Sequence, residues 1–498
     1  MARGHRHPAG GPRRVSFEAR TKGDLPVASP ETASEHVGDD ATMLVSGFGS
    51  VGYPKLVPET LAESGRDLSL AVVSGGSVGE EIDVALVEAD AMARRYPFQA
   101  RDAIREAINA GEVAFADRHI STLGDDVQFG GMVDPDIAVV EAVSVGEDWL
   151  VPSTSLGLTP AFIESADELI VEVNTAQPRA LEQFHDVYRP EIPPNREPIP
   201  LSHPGERIGD ARIQFDPAKL SAVVETDRRD VPYEFRDPTE TDLEIAANLG
   251  AFMEREVDRS PLYEESVRLQ FGVGSLGNAL MRAIGDADLG DRDLIYYGEV
   301  IQDGLLDLLD DGKLEAASAT SLALSAEGQT RLFESADRYA EDVLLRPGDV
   351  SNRASLIDRF GVVAINSAVG VDLYGHVNST NVNGSRLISG IGGSGDFTRN
   401  APLSIIALPS TAAGGEVSRI VPMVPHVDHT EHDLDVVVTE HGVADLRGLS
   451  PRERARELRE CAAPSFRSAL DEYLDRATAA GGHVPHDLET VFDWTDGE

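Results

Sequence analysis

The sequence is poor in lysine, cysteine and tryptophan. Four lysines (Lys22, Lys55, Lys219, Lys313) stand beside 39 arginines, and 498 residues hold one cysteine, Cys461, and two tryptophans. A lone cysteine permits no internal disulfide and removes any cysteine-based metal centre, which suits a reducing compartment; a cytoplasmic location is the expectation. No apolar run approaches the length a bilayer requires, so no segment reads as a membrane span. Positive charge is scarce as well: 43 Lys and Arg face 86 Asp and Glu, a formal net charge of −43. Nucleic acids and anionic membrane surfaces both need cations opposite phosphate, so the balance argues against either partner.

What is present in excess is acid. Self-repulsion at this charge opposes compaction in dilute buffer, whereas 1 M salt screens it to within about 3 Å. Codon bias explains arginine over lysine but not the surplus of Asp and Glu, so salt adaptation is expected. The first 22 residues are rich in arginine and histidine with a single Glu18. No apolar core follows them, so they do not read as a secretory signal; a solvated, disordered basic tail over residues 1–25 is predicted.

The length suits two domains at roughly 100–200 residues each. Short apolar, β-rich runs recur at 42–46, 68–74, 136–143, 168–174, 293–297, 362–365, 404–409 and 435–439. Between them lie polar segments with apolar positions at helical spacing, such as 101–110 and 451–460. Strands alternating with helices predict two tandem open α/β domains, with mostly parallel sheets flanked by helices. Seven prolines in 178–204 mark an extended arm over the surface, ahead of a boundary near residues 220–240. The Thr239–Asp242 spacing is that of a capping box opening a helix over 243–257. The expected units are 26–225 and 235–498.

Three G-x-G-x-x-G patterns occur: Gly47-Phe-Gly49-Ser-Val-Gly52, Gly272-Val-Gly274-Ser-Leu-Gly277 and Gly390-Ile-Gly392-Gly-Ser-Gly395. Glycine suits a strand that turns sharply into a helix while a phosphate or thioester approaches backbone amides. The first pattern lacks the downstream acid that would hold a ribose, because the next run ends in Ser74-Gly75-Gly76. After the second, Glu299 follows Gly277 by 22 residues. That is where a dinucleotide-binding acid would stand, and also where open α/β sheets place catalytic groups. An ordinary strand-end glutamate paired with an arginine fits the pattern equally. Spacing alone leaves the three open.

Longer stretches say more. GFGSVGYPKLVP (47–58), SVGEEID (77–83), GEVAFADRHIS (111–121), GVGSLGNA (272–279), GEVIQDGLLDLLDDGKL (298–314), the segment 352–380, GIGGSGDFTRNAPLSI (390–405) and the segment 421–451 together resemble the acetyl-CoA hydrolase / succinyl-CoA:acetate CoA-transferase family, the class I coenzyme A-transferases. The resemblance runs from about residue 40 to near the end. It implies that Glu299 is a nucleophile carrying coenzyme A as a thioester, with Asn352 near the reacting carbonyl and the Gly393 backbone amide as a further donor. Coenzyme A binding is implied for Gly272, Val273, Gly274, Ser275 and Leu276, for Gly392 and Gly393, and for Ala413. At Ala413 the family's S-T-A-K-x-G pattern would have lysine, so a charge is missing; Arg386, Arg399 and Arg419 are candidates to replace it. The implied partners are acyl-CoA and small carboxylates, with coenzyme A as substrate, no permanently bound cofactor and a homodimer as the assembly.

Competing readings remain on the residues themselves. An NAD-dependent dehydrogenase rests on the glycine turns, and a non-catalytic acyl-CoA-binding protein on the same loops. His426, Asp428, His429, His432 and Asp433 have the look of a metal cluster, but structural hydrogen bonding is the expectation and no metal is assigned. Ser410 lacks the nucleophile-elbow pattern of a serine hydrolase, and Tyr296-Tyr297 reads as core.

Overall fold

The buried apolar runs become parallel strands, as the alternation of runs and helical segments requires. A computed structural model describes residues 15–231 and 236–494. In the first half the strands are β1 (Thr42–Val45), β2 (Leu70–Ser74), β3 (Met92–Tyr96), β4 (Ala114–Phe115), β5 (Ile137–Val145), β6 (Trp149–Pro152), β7 (Glu168–Asn174), β8 (Ile213–Gln214) and β9 (Leu220–Thr226). Seven of them form one parallel layer in the order β4-β3-β2-β1-β5-β7-β9, while β6 pairs antiparallel with β5 and β8 antiparallel with β6. The second half holds β10 (Ser266–Phe271), β11 (Asp293–Tyr297), β12 (Leu314–Ala319), β13 (Val343–Leu345) and β14 (Val363–Asn366). Its sheet runs β13-β12-β11-β10-β14 and continues through the strands Leu403–Ala407, Val436–Thr439 and Gly442–Asp445, the last pair antiparallel.

The two parallel layers have the same strand order. In each, the first strand of the half sits centrally and the chain reverses direction beside it, between β1 and β5 and between β10 and β14. Open α/β sheets bind ligands at such switch points, beyond the carboxyl ends of the strands. The first two glycine patterns follow β1 and β10 directly, so they occupy corresponding positions. The halves share one hydrophobic core, to which Leu156, Leu158 and Phe162 contribute from the first half and Ala319, Leu322 and Leu345 from the second. Backbone bonds stitch the seam: Leu156 N–H donates to Thr320 O (2.9 Å), Leu322 N–H to Thr154 O (2.9 Å) and Gly348 N–H to Gly157 O (2.7 Å).

Two sequence expectations change. Residues 1–14 of the predicted tail lie outside the described residues, but the tail does not extend to residue 25. Phe17–Arg20 is a helical turn, and Arg20, 2% exposed, donates to the carbonyls of Val143, Thr175 and Gln177. Three buried carbonyl acceptors at the end of β5 and just past β7 draw this guanidinium inward. The proline-rich arm runs along the second half: Ile199 and Leu201 are buried with Tyr297, Leu356 and Phe360, and Arg359 donates to both of their carbonyls.

A buried charge cluster stands behind the first glycine turn. Lys55 Nζ, with no exposed surface, lies 2.5 Å from Glu141 and 2.9 Å from Asp230. Asp230 also accepts from Gly52 N–H (3.1 Å), Thr154 Oγ1 (2.6 Å) and Gln177 Nε2 (3.0 Å). Glu172, paired with Glu141 across β5 and β7, caps the helix Leu56–Glu63 by accepting the N–H groups of Lys55, Leu56 and Val57. The cluster fixes residues 47–55 on the sheet.

Candidate active site

The carboxyl ends of β10 and β11 open onto a cleft of about 580 Å³ between the halves. From the first half Phe48, Gly49, Gly76, Ser77 and Phe98 face it. From the second come Gly272 to Gly277, Glu299, and the loop Ser389 to Ser394. The third glycine pattern forms a wall of the cleft, and its last residues, Ser394 and Gly395, open the short helix Ser394–Asn400.

Glu299 is the second residue past β11. Gly298 makes the turn, since a Cβ there would lie 2.4 Å from the Tyr296 hydroxyl. The Glu299 carbonyl accepts from Thr320 N–H (2.8 Å) and Ser321 N–H (3.1 Å), tying the turn to the end of β12. Its carboxylate keeps a face toward the cleft and is otherwise enclosed. Asn352, fully buried after the short helix Gly348–Ser351, donates through Nδ2 to Glu299 Oε1 at 2.8 Å. The Gly393 amide also donates to this carboxylate. A Cβ on residue 393 would stand 2.0 Å from Oε1, so any side chain there would displace the Glu299 carboxylate. Burial pushes the Glu299 carboxyl up to about 7; the nearby Asp396 charge adds to the rise, while the Asn352 and Gly393 donors oppose it.

The residues implied for coenzyme A binding divide. Gly272, Val273, Gly274, Ser275 and Leu276 line the same cleft as Glu299, together with Gly392 and Gly393. Gly274 has φ +143°, open space where a Cβ would point, and an N–H on Gln302 Oε1 (3.2 Å). Ala413 is not among the residues lining this cleft; it forms a tight turn with Gly414 and Gly415, at φ +49°. A second cavity of about 380 Å³, lined by the adjacent Ala412 and by Arg419, shares Ser367 and Ser379 with the cleft. Of the replacement arginines, Arg419 faces that cavity, and Arg386 and Arg399 line neither.

Several site residues were not singled out from sequence. Asp396 Oδ2 lies 3.2 Å from Asn352 Nδ2. Ser121 donates to Asp396 from both Oγ (2.5 Å) and N–H (3.0 Å), and Asp117 accepts from Ile391 N–H at 2.6 Å. Segment 117–121 of the first half thus clamps the glycine loop of the second. It belongs to the stretch GEVAFADRHIS, where the signal was present but no role could be read without the partner 275 positions away.

The histidine cluster disperses into separate bonds. His429 is buried against Ser394 Oγ (3.1 Å), Asp428 accepts from Ser379 N–H and Thr380 Oγ1, His426 pairs with Asp428, and His432 is exposed beside Glu431. Among the described residues no group of three or more His, Cys, Asp or Glu is arranged to hold a metal ion. Ser410 donates to Glu440 (2.6 Å), and Tyr297 is core, donating to Val350 O and packing edge-on against Phe360. No helix among the described residues is long and apolar enough to cross a membrane.

Known proteins with this architecture include RipA from Yersinia pestis, with a TM-score of 0.69 at 22% identity over 91% of this chain and 97% of that one. The 4-hydroxybutyrate CoA-transferase of Porphyromonas gingivalis gives 0.61 at 22% identity over 91% and 97%. Sequence likeness is higher elsewhere. The chain is 39% identical to succinyl-CoA:acetate CoA-transferase of Clostridium kluyveri (94% of this chain, 88% of that one). It is 38% identical to propanoyl-CoA:succinate CoA transferase of Escherichia coli (93% and 95%), and 42% identical to acetyl-CoA hydrolase of Candida glabrata (90% and 89%). These relatives are neither dehydrogenases nor non-catalytic binding proteins, and the glycine-turn reading of a nicotinamide site has no support. Residues 18–225 match the acetyl-CoA hydrolase/transferase N-terminal domain and residues 328–474 its C-terminal domain. With relatives near 40% identity across nine-tenths of its length, the chain belongs to the acetyl-CoA hydrolase/transferase family of enzymes.

Proposed function

We propose that the protein transfers coenzyme A from acetyl-CoA or succinyl-CoA to a small carboxylate, with Glu299 as the covalent carrier. One observation carries the reading: the Glu299 carboxylate faces the cleft with two N–H donors, Asn352 Nδ2 and the Gly393 amide, on its oxygens.

A Glu299 carboxylate oxygen attacks the thioester carbonyl; the C–S bond breaks, coenzyme A leaves as thiolate, and an acyl-glutamyl anhydride remains. The thiolate attacks Cδ of Glu299, the anhydride C–O bond breaks, and the first carboxylate departs from a glutamyl-CoA thioester. An acceptor carboxylate then runs both steps backwards. Whenever Cδ is attacked, negative charge collects on a Glu299 oxygen, where Asn352 and Gly393 already donate; a preorganised donor of this kind is worth about 10²–10³ in rate. Water attacking Cδ instead of the acceptor gives hydrolysis by the same machinery. Coenzyme A enters and leaves as substrate, through the Gly272–Leu276 turn.

Intact-mass spectrometry of enzyme mixed with acyl-CoA alone tests this. A coenzyme A adduct mapping to 298–314, absent in Glu299→Gln, is expected. Turnover without any adduct would overturn the mechanism.

A further inference from the structure

Glu299, Asn352, Asp396 and Ser121 form one hydrogen-bonded chain that crosses from the second half to the first. The two ends of an asparagine amide have nearly the same shape, so its neighbours decide which end faces a carboxylate. Asn352 Oδ1 is buried and has no hydrogen-bond partner in the protein, so it does not set the orientation. Nδ2 does: its two hydrogens are divided between Glu299 Oε1 at 2.8 Å and Asp396 Oδ2 at 3.2 Å.

This matters because Glu299 does not stay a carboxylate. As anhydride or thioester it carries no charge and is a weaker acceptor, so its own hold on the amide loosens. Asp396 remains. It is 4% exposed, sits in the first turn of the helix Ser394–Asn400, and is gripped by both the hydroxyl and the N–H of Ser121.

We propose that Asp396 is a positioning residue, which keeps Asn352 Nδ2 aimed at the Glu299 carbonyl oxygen through the covalent stages and is itself held by Ser121 of the other half. The inference rests on Glu299 being the nucleophile.

Asp396 also acts through its charge. The ionisable groups around it and Glu299 are His119, with Nδ1 3.7 Å from Asp396 Oδ1; Asp117, on the same first-half segment; His429, bonded to Ser394; Asp428 beside His429; and Tyr296 beneath Glu299. Of these carboxylates, Asp396 is the one that raises the proton affinity of Glu299. Removing its charge lowers that affinity, which moves the acid limb of the pH–rate profile to lower pH.

Asp396→Asn and Asp396→Glu, compared with wild type, test the proposal. In Asp396→Asn the rate of adduct formation and kcat should fall by about 10²-fold. KM for acyl-CoA should stay within about twofold, the acid limb of kcat/KM should move down in pH, and Asp396→Glu should recover part of the rate. Wild-type kcat with an unmoved limb would overturn the proposal. So would a loss confined to KM, or a loss with an unmoved limb and no recovery in Asp396→Glu, since either describes a residue that merely supports the loop. If Asp396→Asn does not fold, Ser121→Ala reports instead: kcat should drop at unchanged KM and return in Ser121→Thr, and wild-type kcat would overturn the proposal. Wild type that forms no adduct at all would count against Glu299 as nucleophile and not against Asp396.

Discussion

Gly393 and Glu299 stand so close that a β-carbon on residue 393 would lie 2.0 Å from Oε1 and 2.1 Å from Cδ. Backbone strain is not the reason for glycine here, because φ is −85°, open to any residue. Contact is the reason. Gly393→Ala must displace the Glu299 carboxylate or its own amide, and a misplacement near 1 Å costs about 10²-fold. Adduct formation should fall by at least that factor with little change in melting temperature, as read by intact mass and thermal unfolding. An adduct formed at the wild-type rate would show that the amide is not part of the site.

The raised proton affinity of Glu299 gives a pH signature. With its carboxyl near 7 instead of 4.5, the attacking carboxylate is scarce below neutrality. Below about pH 6 kcat/KM should rise nearly tenfold per pH unit and level off above 7. Stability runs the other way. A carboxyl whose folded value is raised favours the fold below its unfolded value, and that contribution is lost as pH climbs through the folded one. Glu299→Gln should therefore gain stability over wild type as pH rises from 4.5 to 7 and hold the gain above, on the order of 3 kcal/mol. Denaturant unfolding at pH 5 and pH 8 measures it.

Lys55 is surrounded by acid: Glu141 and Asp230 directly, Glu172 through the adjoining backbone. Removing one partner from a buried ionic cluster leaves unpaired charge and typically costs about 3–5 kcal/mol. Lys55→Met should lose that much in urea unfolding. It should also weaken acyl-CoA turnover, because Phe48 and Gly49 reach the cleft from the loop this cluster pins. An unchanged unfolding midpoint would mean the remaining carboxylates take up protons at no cost.

The acid excess predicts a salt dependence. At 10 mM salt charges act over about 30 Å, at 1 M over about 3 Å. Thermal unfolding followed by circular dichroism should show the melting temperature climbing steadily with added potassium chloride. A flat curve would remove the case for salt adaptation.

Strands buried on both faces were easy to read. Glu168–Asn174 and Asp293–Tyr297 match the apolar runs of the sequence because parallel strands between helices are predominantly apolar, with the buried Glu172 an exception inside one of them. β3, Met92–Tyr96, was not among the runs identified, since it carries Arg94 and Arg95. Arg95 is wholly buried because Asp83, on a separate helix, meets it at 2.7 Å, and no local pattern announces that pairing. The same limit applied to Arg20, whose three acceptor carbonyls come from distant elements, so the basic N-terminal stretch passed for solvated tail. At the cleft, Glu299 was visible as a strand-end acid and gained its proposed role from resemblance. Asp396 and Ser121 lie in stretches that carry the resemblance, but their role is not readable there, because what makes them a pair is the seam between the halves.

The matching strand orders of the two sheets mean that each half presents the same frame to the cleft, yet the frames are filled differently. Two residues past β11 stands Glu299; two residues past β2 stands Gly76, also facing the cleft. One half places a carboxylate at that point and the other a glycine, whose side-chain position is taken up by the Phe48 ring, 3.1 Å from where a Cβ would begin. Two equivalent ledges are thereby made unlike: one side of the cleft is lined by a carboxylate, and the other by backbone backed with an aromatic ring.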